Sequence, residues 1–419
     1  MTKGHKNREA SKITKPIIID NGTAFSRVGF AGETHPRFII RTIIGYPTYQ
    51  SIMADEEYYI PEYYIGEEAL NLRGVLKVLY PLEHGVIFDW DSMEKFWRTS
   101  INHLQVNLLE HPILLIEPPL NPAQNREKIA ELFFETLNVP ALCFRMSAFL
   151  SLYALRKDTG LVVDIGEDCT RIVPVCNGFP VIHTCERFEI GGRDISLQFR
   201  HTLNMRGIRI SNYLNTELKE RLCYVALDFD REKRRFKHQH REKQYMLPSG
   251  EVITIEEERL TAPEILFNPS EYYQFQNKVI SEDYSSLDAL IHKSIQNCNK
   301  KWHSILYENI VLTGGSSLFP GLKQRLEKEI IRKTTNKVNI LTPQQRQILA
   351  WMGGTIIADR PEFSKFWITK DEYEEYGSII VKDNANYCPF CGEKALETVW
   401  EGNSSQKVMK CFICQNRIY

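Results

Sequence analysis

The chain has 419 residues, more than one hydrophobic core usually holds, so two or more domains are expected. A hydrophobic fraction of 43% and a charged fraction of 25% belong to a water-soluble globular protein. The formal net charge of −1 excludes a whole-protein electrostatic grip on nucleic acid or on an anionic membrane.

No apolar run approaches the roughly 18 residues of a membrane span, and the N-terminus is basic rather than apolar. Neither a span nor a secretory signal is therefore expected. Residues 1–15 carry Lys3, Lys6, Arg8, Lys12 and Lys15 without apolar periodicity, which describes a flexible basic tail. Six cysteines, at 143, 169, 176, 185, 223 and 298, stand singly among apolar residues and are expected as reduced core thiols. That usage fits a reducing, cytoplasmic compartment.

The first ordered element is a β-branched run, Ile17-Ile18-Ile19, of the kind that makes a buried strand. It ends in Asp20-Asn21-Gly22-Thr23, and a second strand is expected over Arg27–Phe30. A carboxylate and a glycine in a hairpin bend suit a nucleoside phosphate. Gly22 lets backbone N–H groups approach phosphate oxygens, and Asp20 can hold a hydrated Mg²⁺. An ordinary turn has the same pattern, so the motif alone is weak. Further along, periodicity predicts amphipathic helices over Met93–Leu109 and Asn125–Leu137, around a buried strand Ile113–Ile116. His84, in Glu-His-Gly, is expected as a loop histidine without chemistry.

The pattern then returns. Leu161–Val175 again gives strand, Asp164-Ile-Gly166, strand, with Glu167 and Asp168 in the bend. Two such hairpins, one per domain, are expected to face each other across a cleft and clamp one nucleotide. A third element completes the set: Asn309–Thr313 as a strand, then Gly314-Gly315-Ser316-Ser317, with Pro320 opening a helix Gly321–Ile331. A strand, a Gly-Gly-Ser-Ser turn and a helix start make a resting place for a nucleoside. The three elements together are a strong signal.

Between them, Arg231–Lys243 packs seven Lys or Arg into thirteen residues. One aromatic and two histidines make no stacking platform for nucleic acid, so a solvated charged face is expected, with an anion-binding patch as the alternative. At the end stand Cys388-Pro-Phe-Cys391, nineteen residues, then Cys411-Phe-Ile-Cys414. Two C-x₂-C pairs at this separation are the pattern of a structural four-thiolate Zn²⁺ site, with Leu396–Trp400 and Lys407–Lys410 as strands between the knuckles. Two disulfides are the competing explanation.

The chain resembles the actins and actin-related proteins from about Pro16 to Lys382. The resemblance rests on Asp20-Asn-Gly with Gly-Phe-Ala-Gly-Glu33, on Tyr80-Pro-Leu-Glu-His-Gly-Val86, and on Glu117-Pro-Pro-Leu-Asn-Pro-Ala-Gln-Asn-Arg-Glu-Lys128. Phe134–Pro140, Gly191-Gly-Arg-Asp194, Leu222–Asp228, Trp351-Met-Gly-Gly354 and Trp367–Tyr373 extend it in order. It implies an α/β, two-lobed, actin-like fold with a duplicated domain and a nucleotide in the central cleft. Lobe I would span 16–154 and 349–382, with an outer subdomain at about 42–80. Lobe II would span 155–348, with an outer subdomain at about 191–283. A zinc ribbon over 386–419, which resembles other zinc ribbons, would be added.

The resemblance also implies ATP or ADP with Mg²⁺, held through water by Asp20 and Asp164. Gly22, Thr23, Arg27, Gly166, Glu167, Asp168, Gly192, Gly314, Gly315 and Ser316 would help to bind the nucleotide. Lys219 and Glu220 would border adenine and ribose, Phe319 would back the base, and Gln347 stands where actins have a lysine near the purine. Departures bear on catalysis. Ser147 replaces the glutamine that orients the attacking water, and Arg171 replaces a histidine beside it. Hydrolysis needs a held, in-line water, so their loss points to a slow ATPase or none. The loop Ser51–Tyr64 is longer, more acidic and richer in tyrosine than the actin loop that docks onto the next filament subunit, and the stretch Glu271–Asp283 is longer too. Actin, actin-like proteins and actin regulators are the expected partners of a cytoskeletal or scaffold protein. A self-polymerising ATPase is one alternative. A subunit of a nucleic-acid-associated complex, contacting it through the ribbon, is the other.

Overall fold

The computed structural model describes residues 14–48, 60–83, 85–119, 121–236, 241–276 and 285–383, with strands at 396–400, 407–411 and 417–418. Expectations for the tail up to residue 13, for the loop over 49–59, for His84, for 277–284, for Cys388, Cys391 and Cys414, and for the side chain of Cys411 lie outside the described residues. The chain divides into two compact units. One comprises Met1–Leu150 and Ala350–Arg417, the other Ser151–Leu349 with Ile418–Tyr419.

The first unit is built on a six-stranded mixed sheet in the order Ile368–Thr369, Ala141–Met146, Ile113–Glu117, Ile17–Asn21, Phe25–Phe30, Phe38–Arg41. Ile17 pairs with Phe30 in an antiparallel hairpin and with Ile113 in a parallel ladder. Ile17, Ile18 and Ile19 are all fully buried, so both faces of this strand are covered, as expected where parallel pairing brings helices to both sides. Helix Trp90–Asn102 begins on Asp89, whose side chain accepts the Ser92 N–H at 3.1 Å. It buries Met93, Phe96, Trp97 and Ile101 along one stripe. The helix ends seven residues short of the predicted Leu109, because Gln105 takes φ of 55° and turns the chain out of the helical path. The helix predicted over 125–137 runs Ala123–Glu131 and then widens into a π-helical turn, Leu132–Thr136. Apart from this sheet, strands Ile44–Pro47, Tyr64–Ile65 and Leu76–Leu79 with helix Gly66–Asn71 enclose a small core of Ile43, Ala69 and Leu76.

The second unit repeats the plan. Gly160–Ile165 and Thr170–Cys176 form a hairpin, and Gly160–Ile165 also pairs in parallel with Ile310–Thr313. Phe179–Pro180, Glu186–Phe188 and Ile340–Leu341 complete the sheet. Helix Gly192–Met205, helix Asn212–Leu222, helix Phe229–Phe236 and the hairpin Lys243–Met246 with Val252–Ile255 follow along the chain. In the basic stretch, Arg235 and Arg241 both ion-pair with Glu232, so part of its charge is compensated locally. The helix predicted from Gly321 starts at Leu322; Gly321 itself has φ of 85°, and a Cβ there would meet the Val225 carbonyl oxygen at 2.1 Å.

At the C-terminal end, Leu396–Trp400 and Lys407–Cys411 form an antiparallel pair joined by Arg417–Ile418. No helix among the described residues is long and apolar enough to cross a membrane. The six singly placed cysteines are free thiols, five of them buried and Cys185 half-buried.

Candidate functional site: two matched hairpins

Asp20 is the penultimate residue of its strand and stands directly opposite Arg27. Arg27 Nη1 donates to Asp20 Oδ2 at 3.1 Å and to the Phe25 carbonyl oxygen at 3.4 Å. Burial pushes the Asp20 carboxyl above the usual carboxylate range, and the Arg27 guanidinium opposes that shift. Between them the turn closes through the Gly22 N–H, which donates to Phe25 O at 3.0 Å. A Cβ on Gly22 would approach that same oxygen to 2.8 Å and Arg27 Nη1 to 3.4 Å, so the guanidinium lies against the turn. Thr23 is half-buried in the bend. The Nε of Arg27 is buried with no hydrogen-bond partner, an orphan donor of the kind an external acceptor satisfies.

Supporting groups fix this hairpin from below. Asn21 Oδ1 accepts from Ser26 Oγ and from Trp97 Nε1, both at 3.0 Å. The buried Thr42 donates through Oγ1 to the Gly22 carbonyl at 2.8 Å. Neither role is legible in the sequence, since Trp97 and Thr42 reach the hairpin only through the fold.

The second hairpin has the same construction at the same spacing. Asp164 is penultimate in its strand and stands opposite Arg171, and the Gly166 N–H donates to Cys169 O at 3.1 Å. The later elements of this unit close onto that turn. Gly192 N donates to Gly166 O at 2.9 Å, Arg193 N to Glu167 O at 2.8 Å, and Ser316 Oγ to Gly166 O at 3.1 Å. Gly314 has φ of 85°, and a Cβ there would fall 2.5 Å from Asp164 Oδ1. The buried Lys219 donates through Nζ to Gly192 O at 3.0 Å. Burial pushes the Glu167 carboxyl up, while the Lys219 ammonium draws it back.

Asp164, Gly166, Glu167, Gly192, Lys219, Gly314 and Ser316 therefore gather at one turn, although over 150 positions separate the first from the last. Gly315 is exposed beside them, Glu220 is exposed on the helix that carries Lys219, and Gln347 is exposed on a short helical turn, Arg346–Ile348. Phe319 is buried in the core of its unit. Asp168 is buried and ion-paired with Arg193 at 2.8 Å, a pairing the sequence did not suggest. Ser147 opens the helix Ser147–Ala154, directly after the strand Ala141–Met146, and is half-buried. Among the described residues, no group of three or more His, Cys, Asp or Glu is arranged to hold a metal ion.

Each hairpin thus offers a carboxylate, a cross-strand arginine and a glycine turn, groups that suit polyphosphate recognition. The family model described as Actin matches residues 11–215 and 210–386 of the chain.

Proposed function

The chain belongs to the actin family, and on that premise we propose that it is an ATP- or ADP-binding, actin-related cytoskeletal or scaffold protein with weak hydrolysis. The observation that carries the nucleotide reading is the pair of matched hairpins, with the Arg27 guanidinium against the Gly22 turn and its Nε without a hydrogen-bond partner. Gly22, Thr23 and Arg27 would hold phosphate oxygens from one hairpin. Gly166, Glu167 and the Gly314–Gly315 turn would hold them from the other. Lys219, Glu220, Phe319 and Gln347 are the candidates for the nucleoside end, Phe319 as a wall rather than an exposed face. The cation that accompanies nucleotide in this family would meet Asp20 and Asp164, and Asp20 is already ion-paired with Arg27.

Weak hydrolysis rests on Ser147 and Arg171. A serine hydroxyl stops well short of where a glutamine amide reaches, and an arginine side chain offers donors but no acceptor with which to take a proton from water. The nucleotide would act as a structural ligand more than as fuel. Actin-like filaments, actin regulators or the other subunits of a larger assembly are the proposed partners.

The C-terminal pair of strands supports a zinc ribbon. Leu396 pairs with Cys411, so the hairpin register returns the chain to the end from which the first C-x₂-C pair leads in. Cys388, Cys391, Cys411 and Cys414 would then hold one Zn²⁺ as a closed structural site. With so little core, metal binding worth roughly 10–16 kcal/mol would be the folding energy of the module.

The test of the hydrolysis reading is phosphate release from purified protein with Mg-ATP, followed together with light scattering. A negligible wild-type rate that rises in the Ser147→Gln, Arg171→His double variant supports the proposal. Brisk wild-type release that tracks scattering overturns it in favour of a self-polymerising ATPase.

A further inference from the structure

Each nucleotide hairpin sets an arginine directly across from its aspartate, at Asp20–Arg27 and Asp164–Arg171. Directly opposed residues of an antiparallel pair project from the same face with Cβ atoms roughly 4.5–5.5 Å apart, within ion-pairing reach of an arginine and a carboxylate. In the first hairpin the ion pair is made, at 3.1 Å, with both side chains largely buried. A hydrated magnesium ion needs carboxylate charge that nothing else has neutralised, and it is repelled by a cation already seated on that carboxylate. A nucleoside polyphosphate needs positive charge and donors, and a guanidinium has five N–H groups in a fixed fork. Arg27 spends Nη1 on Asp20 and on Phe25 O, and Nη1 lies against the Gly22 turn, while Nε is buried without a hydrogen-bond partner.

We infer that Arg27 takes over the charge-balancing part of the divalent cation, so that this chain binds ADP or ATP nearly independently of Mg²⁺. The inference rests on the nucleotide reading above and assigns its electrostatics. The phosphate would be met by the unused donors of Arg27, with Asp20 acting as the group that holds the fork in place.

The experiment is isothermal titration calorimetry of the full-length protein with ADP, once in excess MgCl₂ and once in excess EDTA without magnesium. The expected result is a Kd that differs by less than about threefold between the two buffers. Arg27→Gln should weaken ADP binding by about tenfold or more in EDTA. Arg27→Lys, which keeps the charge and loses the fork, should fall between the two. Far-UV circular dichroism of the variants separates misfolding from lost contacts. Wild-type binding that weakens tenfold or more when magnesium is removed overturns this inference and leaves the nucleotide reading standing. Absence of ADP binding in both buffers overturns the nucleotide reading, and this inference with it.

Discussion

Gly314 abuts Asp164 so closely that a Cβ on the glycine would lie 2.5 Å from the carboxylate Oδ1, and 2.4 Å from the Ile165 carbonyl oxygen. The strand that ends at Thr313 thus delivers a turn straight onto the second hairpin, and only a residue without a side chain lets it settle there. The left-handed φ of 85° at Gly314 makes the same demand on the backbone.

Gly314→Ala should therefore destabilise the protein by about 2–4 kcal/mol, adding left-handed strain to overpacking against backbone. Chemical denaturation measures it. Nucleotide affinity should fall alongside, because the Gly166 turn must shift to make room. An Ala variant with wild-type stability would mean the turn relaxes without cost.

In the first unit, Glu117 accepts from Arg126 Nε at 2.8 Å and from Nη2 at 2.6 Å, and from Asn121 Nδ2 at 3.0 Å. Glu117 is buried. Glu117→Ala leaves the Arg126 guanidinium largely buried without its partner and should cost about 3–5 kcal/mol. Replacing both residues by leucine should cost clearly less, since no charge is stranded. Urea titrations of the two variants decide it; equal losses would refute the account.

Asn21 ties the first hairpin to the helix Trp90–Asn102 through Trp97 Nε1, and to its own second strand through Ser26. Asn21→Ala strands the fully buried Trp97 N–H. The expected loss is about 2–3 kcal/mol, with most of it from the unsatisfied indole donor. Trp97→Phe in the Asn21→Ala background should recover part of that loss. No recovery would show that the Trp97 bond contributes little.

The thiols should separate into two classes. Burial pushes the Cys176 and Cys185 thiols up to about 12, so their thiolate fraction at pH 8 is on the order of 10⁻⁴. These two, with the buried Cys143, Cys169, Cys223 and Cys298, should react slowly with Ellman's reagent in the folded protein. Cys388, Cys391, Cys411 and Cys414 should react quickly only after a chelator removes about one zinc ion per chain, read out with a metallochromic dye. Fast reaction of all four before chelation, with no metal released, would remove the ribbon proposal.

Much of this protein is written locally. Three consecutive isoleucines ending in Asp20-Asn21-Gly22 are enough to specify a buried strand and a tight turn, because β-branched packing and a bend glycine act over a few residues. The echo at Asp164 and Gly166, and the Gly314-Gly315-Ser316 turn, are legible for the same reason. The C-terminal strands are legible too, though Lys407–Cys411 runs one residue further than its pattern suggests. Helix ends were less legible. The stop at Asn102 depends on Gln105 adopting a left-handed φ, a choice for which its side chain gives no local signal. What the fold alone decided is which groups meet. Lys219 reaches the Gly192 carbonyl, Ser316 the Gly166 carbonyl, Arg193 ion-pairs with Asp168, and Trp97 and Thr42 brace the first turn. Each of these contacts joins residues far apart in the chain. Long-range partners are selected by the packing of whole strands and helices, and no short window of sequence contains that information.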